Sequence, residues 1–319
     1  MFRGIDIFGD VHAEIGALSA ALTALGYVRR GGVHRHPEGR RALFLGDLID
    51  RGPGSRAVIA IVRAMVAQEE ACCILGNHEL NAVHWGVPRP DAPGQVMRGG
   101  HPAHLRQHAA FLGEYDGADD PALTQDRAWM AGLAPCLDLG GLRAVHACWD
   151  GAVTLLAACG PDGAWPQTAW HRAGTPGDPL YVAAEAAIKG AEAPLPDGVH
   201  FRDKDGNIRR AARLRWWVDA PRNWAEAVIA PPEACAALDA ALPPPRAVRR
   251  GDGPPVFFGH YWLTPRGGRP WLTAPDAACL DFSVAKGGLM GVYRWDGEVA
   301  LSPDRLIGVA ADGSVRRAV

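Results

Sequence analysis

Gly46-Asp47-Leu48-Ile49-Asp50-Arg51-Gly52 follows directly on an apolar run, Ala42-Leu43-Phe44-Leu45, and leads into Pro53-Gly54-Ser55. An apolar run that stops abruptly in a glycine-bounded polar loop reads as a buried strand, and Ser55 then opens a helix. Two carboxylates and an arginine are thereby held at the carboxyl end of a strand, where open α/β sheets gather their ligands. Carboxylate oxygens suit hard cations, and the arginine fork suits phosphate. Asp and Gly are also ordinary turn residues, so this stretch alone leaves a surface turn open.

Other stretches repeat the pattern. Ile5-Asp6-Ile7-Phe8 ends in Gly9-Asp10-Val11-His12, and Cys72-Cys73-Ile74-Leu75 ends in Gly76-Asn77-His78-Glu79. Between them, Leu18, Leu22 and Leu25 recur at helical spacing, as do Val58, Ile59, Val62 and Met65. Strand and helix alternate, which implies parallel strands. Further on, Ala144-Val145 runs into His146 and Val256-Phe257-Phe258 into Gly259-His260.

This ordered set resembles the calcineurin-like metallophosphoesterases, whose motifs are GDxH, GDxxDRG, GNHE, an isolated His and a late GH. The resemblance implies an α/β fold, a four-layer α/β/β/α sandwich with two mixed β-sheets. It also implies two divalent metal ions, with Asp10 and His12 on the first, Asp47 bridging, and Asn77, His146 and His260 on the second. His78 would act as general acid, oriented by Asp50, and Arg51 would clamp the phosphate oxygens. Mixed oxygen and imidazole donors favour manganese, with iron, zinc or cobalt as alternatives, over magnesium or calcium. The implied reaction is attack on phosphorus by hydroxide generated at the metals.

Departures from the family bear on the substrate. Many members end with GHxH, but here Tyr261-Trp262 follows Gly259-His260. That absence, with the Asp50-Arg51-Gly52 element, resembles the phosphoprotein phosphatase branch. Leu75 stands where eukaryotic-type members carry arginine, and Leu214 to Pro221 matches their LLWSDP segment only loosely. Arg222 then becomes the candidate for a second phosphate-clamping arginine. The tail, with Cys279-Leu280-Asp281, Gly287-Gly288 and Arg294-Trp295, is similar to the end of bacterial diadenosine-tetraphosphatase-like members. The expectation puts a Ser/Thr-protein-phosphatase-like phosphomonoesterase first and a dinucleoside polyphosphate hydrolase second. A non-catalytic metal-binding scaffold is the reading from another class; the complete ligand set and His78 argue against it.

The chain has 319 residues, 48% of them hydrophobic, enough for a sizeable core. We expect one domain over 1–319 with a cap-like insertion at about 150–255. A formal charge of -2 gives no general basic field for nucleic acid or membrane, so the expected partner is a phosphorylated substrate: a phosphoprotein, a small ester or a nucleotide. Seven scattered cysteines without a CxxC pair read as reduced thiols of a cytoplasmic protein. The first strand starts near Met1, so no signal peptide is expected, and no apolar run reaches transmembrane length. Residues 29–41, with His34 and His36, read as an exposed loop. His101, His104 and His108 share a helix face that is expected to be solvated, although it follows the catalytic loop closely enough for a role beside the substrate. Asp203 to Asn207 reads as a hairpin turn. Between 150 and 255, Arg209 to Arg222 and five tryptophans form either a substrate-facing wall or the segment's own core.

Overall fold

The computed structural model describes residues 4–99, 101–202, 206, 208–239, 243–245 and 253–319. The expected turn at Asp203 to Asn207 lies, apart from Gly206, outside the described residues. In chain order the first third reads β1 (Ile5–Phe8), α1 (Ile15–Ala24), β2 (Val28–Arg30), β3 (Val33–Arg35), β4 (Arg41–Phe44), α2 (Ser55–Ala67), β5 (Ala71–Cys73) and α3 (Asn77–His84). Then come α4 (Pro102–Leu112), α5 (Pro121–Ala131), β6 (Cys136–Asp138), β7 (Arg143–Val145), α6 (Ala152–Ala157), α7 (Gln167–Ala173) and α8 (Pro179–Lys189). A more irregular stretch holds β8 (Glu192–Pro194), β9 (Phe201–Arg202), β10 (Ile208–Arg209), β11 (Ala211–Leu214), α9 (Trp224–Ala227), β12 (Val228–Ile229) and α10 (Pro232–Asp239). The chain closes with β13 (Val256–Phe258), β14 (Ala277–Cys279), β15 (Asp281–Phe282), β16 (Leu289–Trp295), β17 (Leu306–Val309) and β18 (Val315–Arg317).

Two mixed sheets carry the fold. One runs β18-β17-β16-β1-β4-β5, with β1, β4 and β5 parallel and β16 antiparallel to β1. The other runs β14-β13-β7-β6, with β13 parallel to β7 and β14, and β6 antiparallel to β7. Because strand side chains alternate, each sheet has two apolar faces to bury. Ile7, Leu43 and Ile74 of the first sheet meet Ala144, Phe257 and Ala278 of the second in one buried cluster. The opposite faces, with Phe8 and Phe44 or Val145 and Phe258, join a larger core with Leu18, Leu22, Val58 and Val62 of α1 and α2, and with Leu155 and Leu180 of α6 and α8. The result is the expected α/β/β/α layering. At Leu280 the chain leaves one sheet for the other: β14 pairs with β13, whereas β15 pairs with β16.

One local expectation is corrected, and one pair of alternatives is decided. Residues 29–41 are not a loop: β2 and β3 form a hairpin, and His36 is buried with Nε2 2.9 Å from the Leu25 carbonyl. Phe8 and Tyr27 pack at this end of the sheet, and His36 lies edge-on to Tyr27, which draws the imidazole inward. The tryptophans of 150–255 (Trp165, Trp170, Trp216, Trp217 and Trp224) are all buried. Trp216 and Trp217 pack on Phe258 beneath the strand that leads to His260. They supply core to this Pro- and Gly-rich segment, and as buried rings they present no stacking face to a substrate. All seven cysteines are free thiols, and among the described residues no helix is long and apolar enough to cross a membrane.

Candidate active site

Each strand end that carries a ligand candidate is pinned to its neighbours through backbone. The Asp47 carbonyl accepts the N–H groups of Val11 (3.1 Å) and His12 (2.8 Å), coupling the loop after β1 to that after β4. Glu79 couples the loop after β4 to that after β5. Its Oε2 accepts from Asp47 N–H (2.8 Å) and Gly76 N–H (3.0 Å), and its Oε1 accepts from Leu48 N–H (2.8 Å). The glycines preceding the ligands are needed for close approach. A methyl group on Gly259 would run into Asp10 Oδ1, and one on Gly76 into Asp47 Oδ1. His12, Ala13, Asp47, Asp50, Arg51, His260 and Trp262 all have left-handed φ, between +46° and +73°, a region that non-glycine residues enter at a cost.

The polar side chains converge on Asp47. His146 Nε2 stands 3.3 Å from Asp47 Oδ1, whereas His12 Nε2 stands 3.6 Å from Oδ2. Asn77 Oδ1 is 3.2 Å from His146 Nε2 and 2.7 Å from His260 Nδ1. Asp10 lies on the His12 side, 3.8 Å away, and accepts the His260 N–H. Two groups of mutually close donors result: Asp47 with His146 and His260, and Asp47 with His12 and His78. Asp47 is the member common to both, one oxygen turned to each.

The donor set fits cations. His12 Nδ1 faces the Ile49 carbonyl (3.2 Å) and His146 Nδ1 the Leu45 carbonyl (2.7 Å). Each ring thereby donates through Nδ1 and turns Nε2 inward, the orientation that metal-binding imidazoles adopt. His12 Nε2 is buried without a protein partner. Burial holds His12 neutral, with its pKa lowered to about 3, and burial followed by the Arg213 guanidinium and His146 holds His260 well below the usual range. Burial and the nearby Asp281 carboxylate push Asp10 up. For Asp47, burial acts upward but the imidazoles of His146, His78 and His12 outweigh it and hold the carboxyl low. At His146 burial acts downward, but the Asp47 and Asp10 carboxylates outweigh it and raise the imidazole to about 10. Imidazoles and carboxylates crowded together out of water are a set that bound cations relieve.

His78 belongs to a different arrangement. Its Nδ1 is 2.6 Å from Asp50 Oδ2, and the carboxylates of Asp47 and Asp50 raise its pKa against the opposing effect of burial. A third residue, which the sequence reading left on a solvated face, completes this cluster: His108 of α4 is buried, with Nδ1 2.7 Å from the same Asp50 Oδ2. Burial raises Asp50, but His108 and His78 outweigh it and bring it to about 2. The neighbouring Gln107 Nε2 stands 3.4 Å from His78 Nε2, with its Oε1 accepting from Arg98 at 2.5 Å. Also from beyond α4, Glu114 caps α2 by accepting the N–H groups of Ser55 (2.7 Å) and Arg56 (2.9 Å).

Residues 4–127 match the family model of the calcineurin-like phosphoesterases. This segment belongs to that family. The chain is 40% identical over 145 residues to the asymmetrical bis(5'-nucleosyl)-tetraphosphatase PrpE of Bacillus subtilis, covering 44% of this chain and 56% of that protein. Its counterpart in Halalkalibacterium halodurans is 45% identical over 73 residues, 23% of this chain and 30% of that protein. The matches therefore span about a third to a half of these relatives. Among solved structures, a cold-active protein-tyrosine phosphatase of a psychrophilic Shewanella shares the fold at 14% identity and a TM-score of 0.50, over 99% of this chain and 80% of that one.

All six residues expected as ligands come together, as do Asp50, His78 and Arg51. Arg51 is exposed, and its guanidinium lies 3.9 Å from the centre of the Trp262 ring. Arg222 is not brought to the site: its side chain is 84% exposed and pairs with Glu226 one helical turn on. Arg222 precedes α9, and both its backbone N–H and its guanidinium reach the Glu226 carboxylate, which holds it locally. Arg213 of β11, in contrast, lies near enough to His260 for its charge to lower the imidazole. His108 carried a readable signal: it shares a helical stripe with buried Phe111 and Tyr115.

Proposed function

We propose that this protein is a dinuclear-metal hydrolase of dinucleoside polyphosphates. The observation that carries the metal chemistry is Asp47, whose two oxygens face separate imidazole clusters. Two bound divalent cations supply Lewis acidity and a nucleophile at neutral pH. Asp10 and His12 would hold one, Asn77, His146 and His260 the other, with Asp47 between them. His78, oriented by Asp50, is placed to hold the proton that the leaving oxygen needs, and Gln107 stands at the nitrogen that would meet it. Arg51 is placed to bind non-bridging phosphate oxygens.

The sequence reading put a protein-phosphatase-like monoesterase first. The likeness to bacterial bis(5'-nucleosyl)-tetraphosphatases, at 40% identity over 145 residues, supports the polyphosphate reading instead. The deciding measurement compares kcat/KM of the manganese-loaded enzyme on diadenosine tetraphosphate, a phosphopeptide and 4-nitrophenyl phosphate. Diadenosine tetraphosphate should lead by about tenfold or more, about 1.4 kcal/mol in transition-state binding. A phosphopeptide at the head of that series would overturn the proposal.

A further inference from the structure

Two roles compete for His78. Its Nε2 is 3.8 Å from Asp47 Oδ2, and its ring centre is 4.9 Å from that of His12. His78, His12 and Asp47 therefore offer donor atoms close enough together to share a cation. A histidine that took up that cation could not serve as a proton donor, because both roles need the same nitrogen.

The opposite nitrogen is already committed. Asp50 Oδ2 lies 2.6 Å from His78 Nδ1, which makes Nδ1 the donor and leaves Nε2 as the acceptor of the neutral ring. Anchored at Nδ1, the imidazole can only pivot, and what faces Nε2 decides where it swings. Gln107 of α4 faces it, with its own Nε2 at 3.4 Å. The two ends of an amide are alike in shape, so a partner must decide which end is turned where. Arg98 decides it here. A guanidinium carries donors and no acceptor, so the atom 2.5 Å from Arg98 Nη2 is Gln107 Oε1, and the NH2 group is turned to His78.

Both braces are built into the fold. Arg98 is bridged to Trp85, its carbonyl accepts the Gly86 N–H at 2.8 Å, and the Met97 N–H donates to the Val87 carbonyl at 2.8 Å. Burial lowers the pKa of Arg98, so its charge is held there against the preference for water. One residue beyond Gln107, His108 stands 2.7 Å from Asp50 Oδ2, and Phe111 anchors the same helix in the core. Successive residues of α4 thus hold the two ends of one pair, Gln107 at His78 Nε2 and His108 at Asp50.

We propose that Gln107, oriented by Arg98, keeps His78 out of the metal centre and in its role as proton donor. It is a positioning residue that acts through His78. An amide hydrogen bond is weak enough to be exchanged for a proton at each turnover, whereas a bound cation would hold the nitrogen throughout. The inference rests on the dinuclear-metal reading above and not on the choice of substrate.

The test uses cobalt, whose visible absorption reports the number and geometry of its ligands. Metal-free protein is titrated with cobalt in the absence of substrate, and the spectrum and Kd are recorded. Gln107→Leu should alter the visible bands and lower the cobalt Kd about fivefold, the scale of one lost competing hydrogen bond. Arg98→Met, which lets the amide turn over, should move both in the same direction, and it carries the test if Gln107→Leu does not fold. His78→Ala alone should keep the wild-type spectrum, and adding it to Gln107→Leu should restore that spectrum. A Gln107→Leu spectrum identical to wild type, one that stays altered without His78, or an altered spectrum in His78→Ala alone overturns the proposal. If the spectra behave as expected while diadenosine tetraphosphate is not hydrolysed, the role of Gln107 stands and the proposed substrate fails. Hydrolysis of diadenosine tetraphosphate with unaltered variant spectra gives the reverse.

Discussion

Glu79→Gln tests whether one carboxylate holds the loops of the metal centre in register. The wild-type side chain receives three backbone N–H groups on two oxygens, fully buried. Glutamine has one acceptor oxygen. In its better orientation that oxygen keeps Asp47 and Gly76, and the amide nitrogen then confronts the Leu48 N–H. One buried donor is left unpaired, at about 1–3 kcal/mol, and the two surviving bonds lose their charge assistance, at about 1 kcal/mol each. The expected loss is about 3–5 kcal/mol, a large part of the roughly 5–15 kcal/mol that keeps a domain folded. The damage should not stay local, because the Asp47 carbonyl in turn fixes the N–H groups of Val11 and His12. Urea denaturation followed by tryptophan fluorescence gives the stability change, and elemental analysis gives the metal content. A variant within 0.5 kcal/mol of wild type that still holds two equivalents of metal would refute the reasoning.

Three further outcomes are expected. His78→Ala should retain metal but lose about 10²–10⁴-fold in kcat, with a smaller loss for esters of acidic phenols that depart without a proton; equal losses across leaving groups would count against the acid. His108→Gln should cut kcat on poor leaving groups by about tenfold, the usual scale for a residue that orients another, and spare good ones; a uniform loss would mark it as structural. His84, buried with Nε2 3.0 Å from the Trp170 carbonyl, has its pKa lowered by burial to about 4. Its unfolded value is higher, so the unfolded chain takes up a proton the fold refuses, and stability falls as pH drops through the window from about 6.5 to 4. Between pH 7 and 5 the loss should be about 2 kcal/mol, and His84→Gln should remove that part of the pH dependence; a variant with the wild-type slope would exclude His84 as its source.

The strand ends were legible because their chemistry is local. A glycine followed by Asp or Asn at the close of an apolar run carries both the tight approach and the candidate ligand in four residues. Asp10, His12, Asp47, Asn77 and His78 needed no knowledge of what packs where. His108, Gln107 and Arg98 did. Spacing placed His101, His104 and His108 on one helix, but which of them meets Asp50 depends on how α4 docks through Phe111. Arg222 failed for the complementary reason: a motif offset ignored the acid four residues away, which wins at short range. The irregular stretch gave little because periodicity is weak where helices are as short as α6 and α7, and where tryptophan takes the place of an aliphatic stripe.

The left-handed residues gathered at the strand ends have a consequence for how this chain can change over evolutionary time. Seven such positions at about 1–3 kcal/mol each amount to a sum comparable with the net stability of a typical domain. The two-sheet frame must therefore be over-stable by about that margin before it can hold the site at all. A descendant released from selection for phosphate chemistry would gain robustness by letting these loops relax, most simply through glycine at Ala13, which carries no ligand. Ancestry and decay should thus be distinguishable: an inactive relative that still holds bulky residues there has lost its chemistry recently.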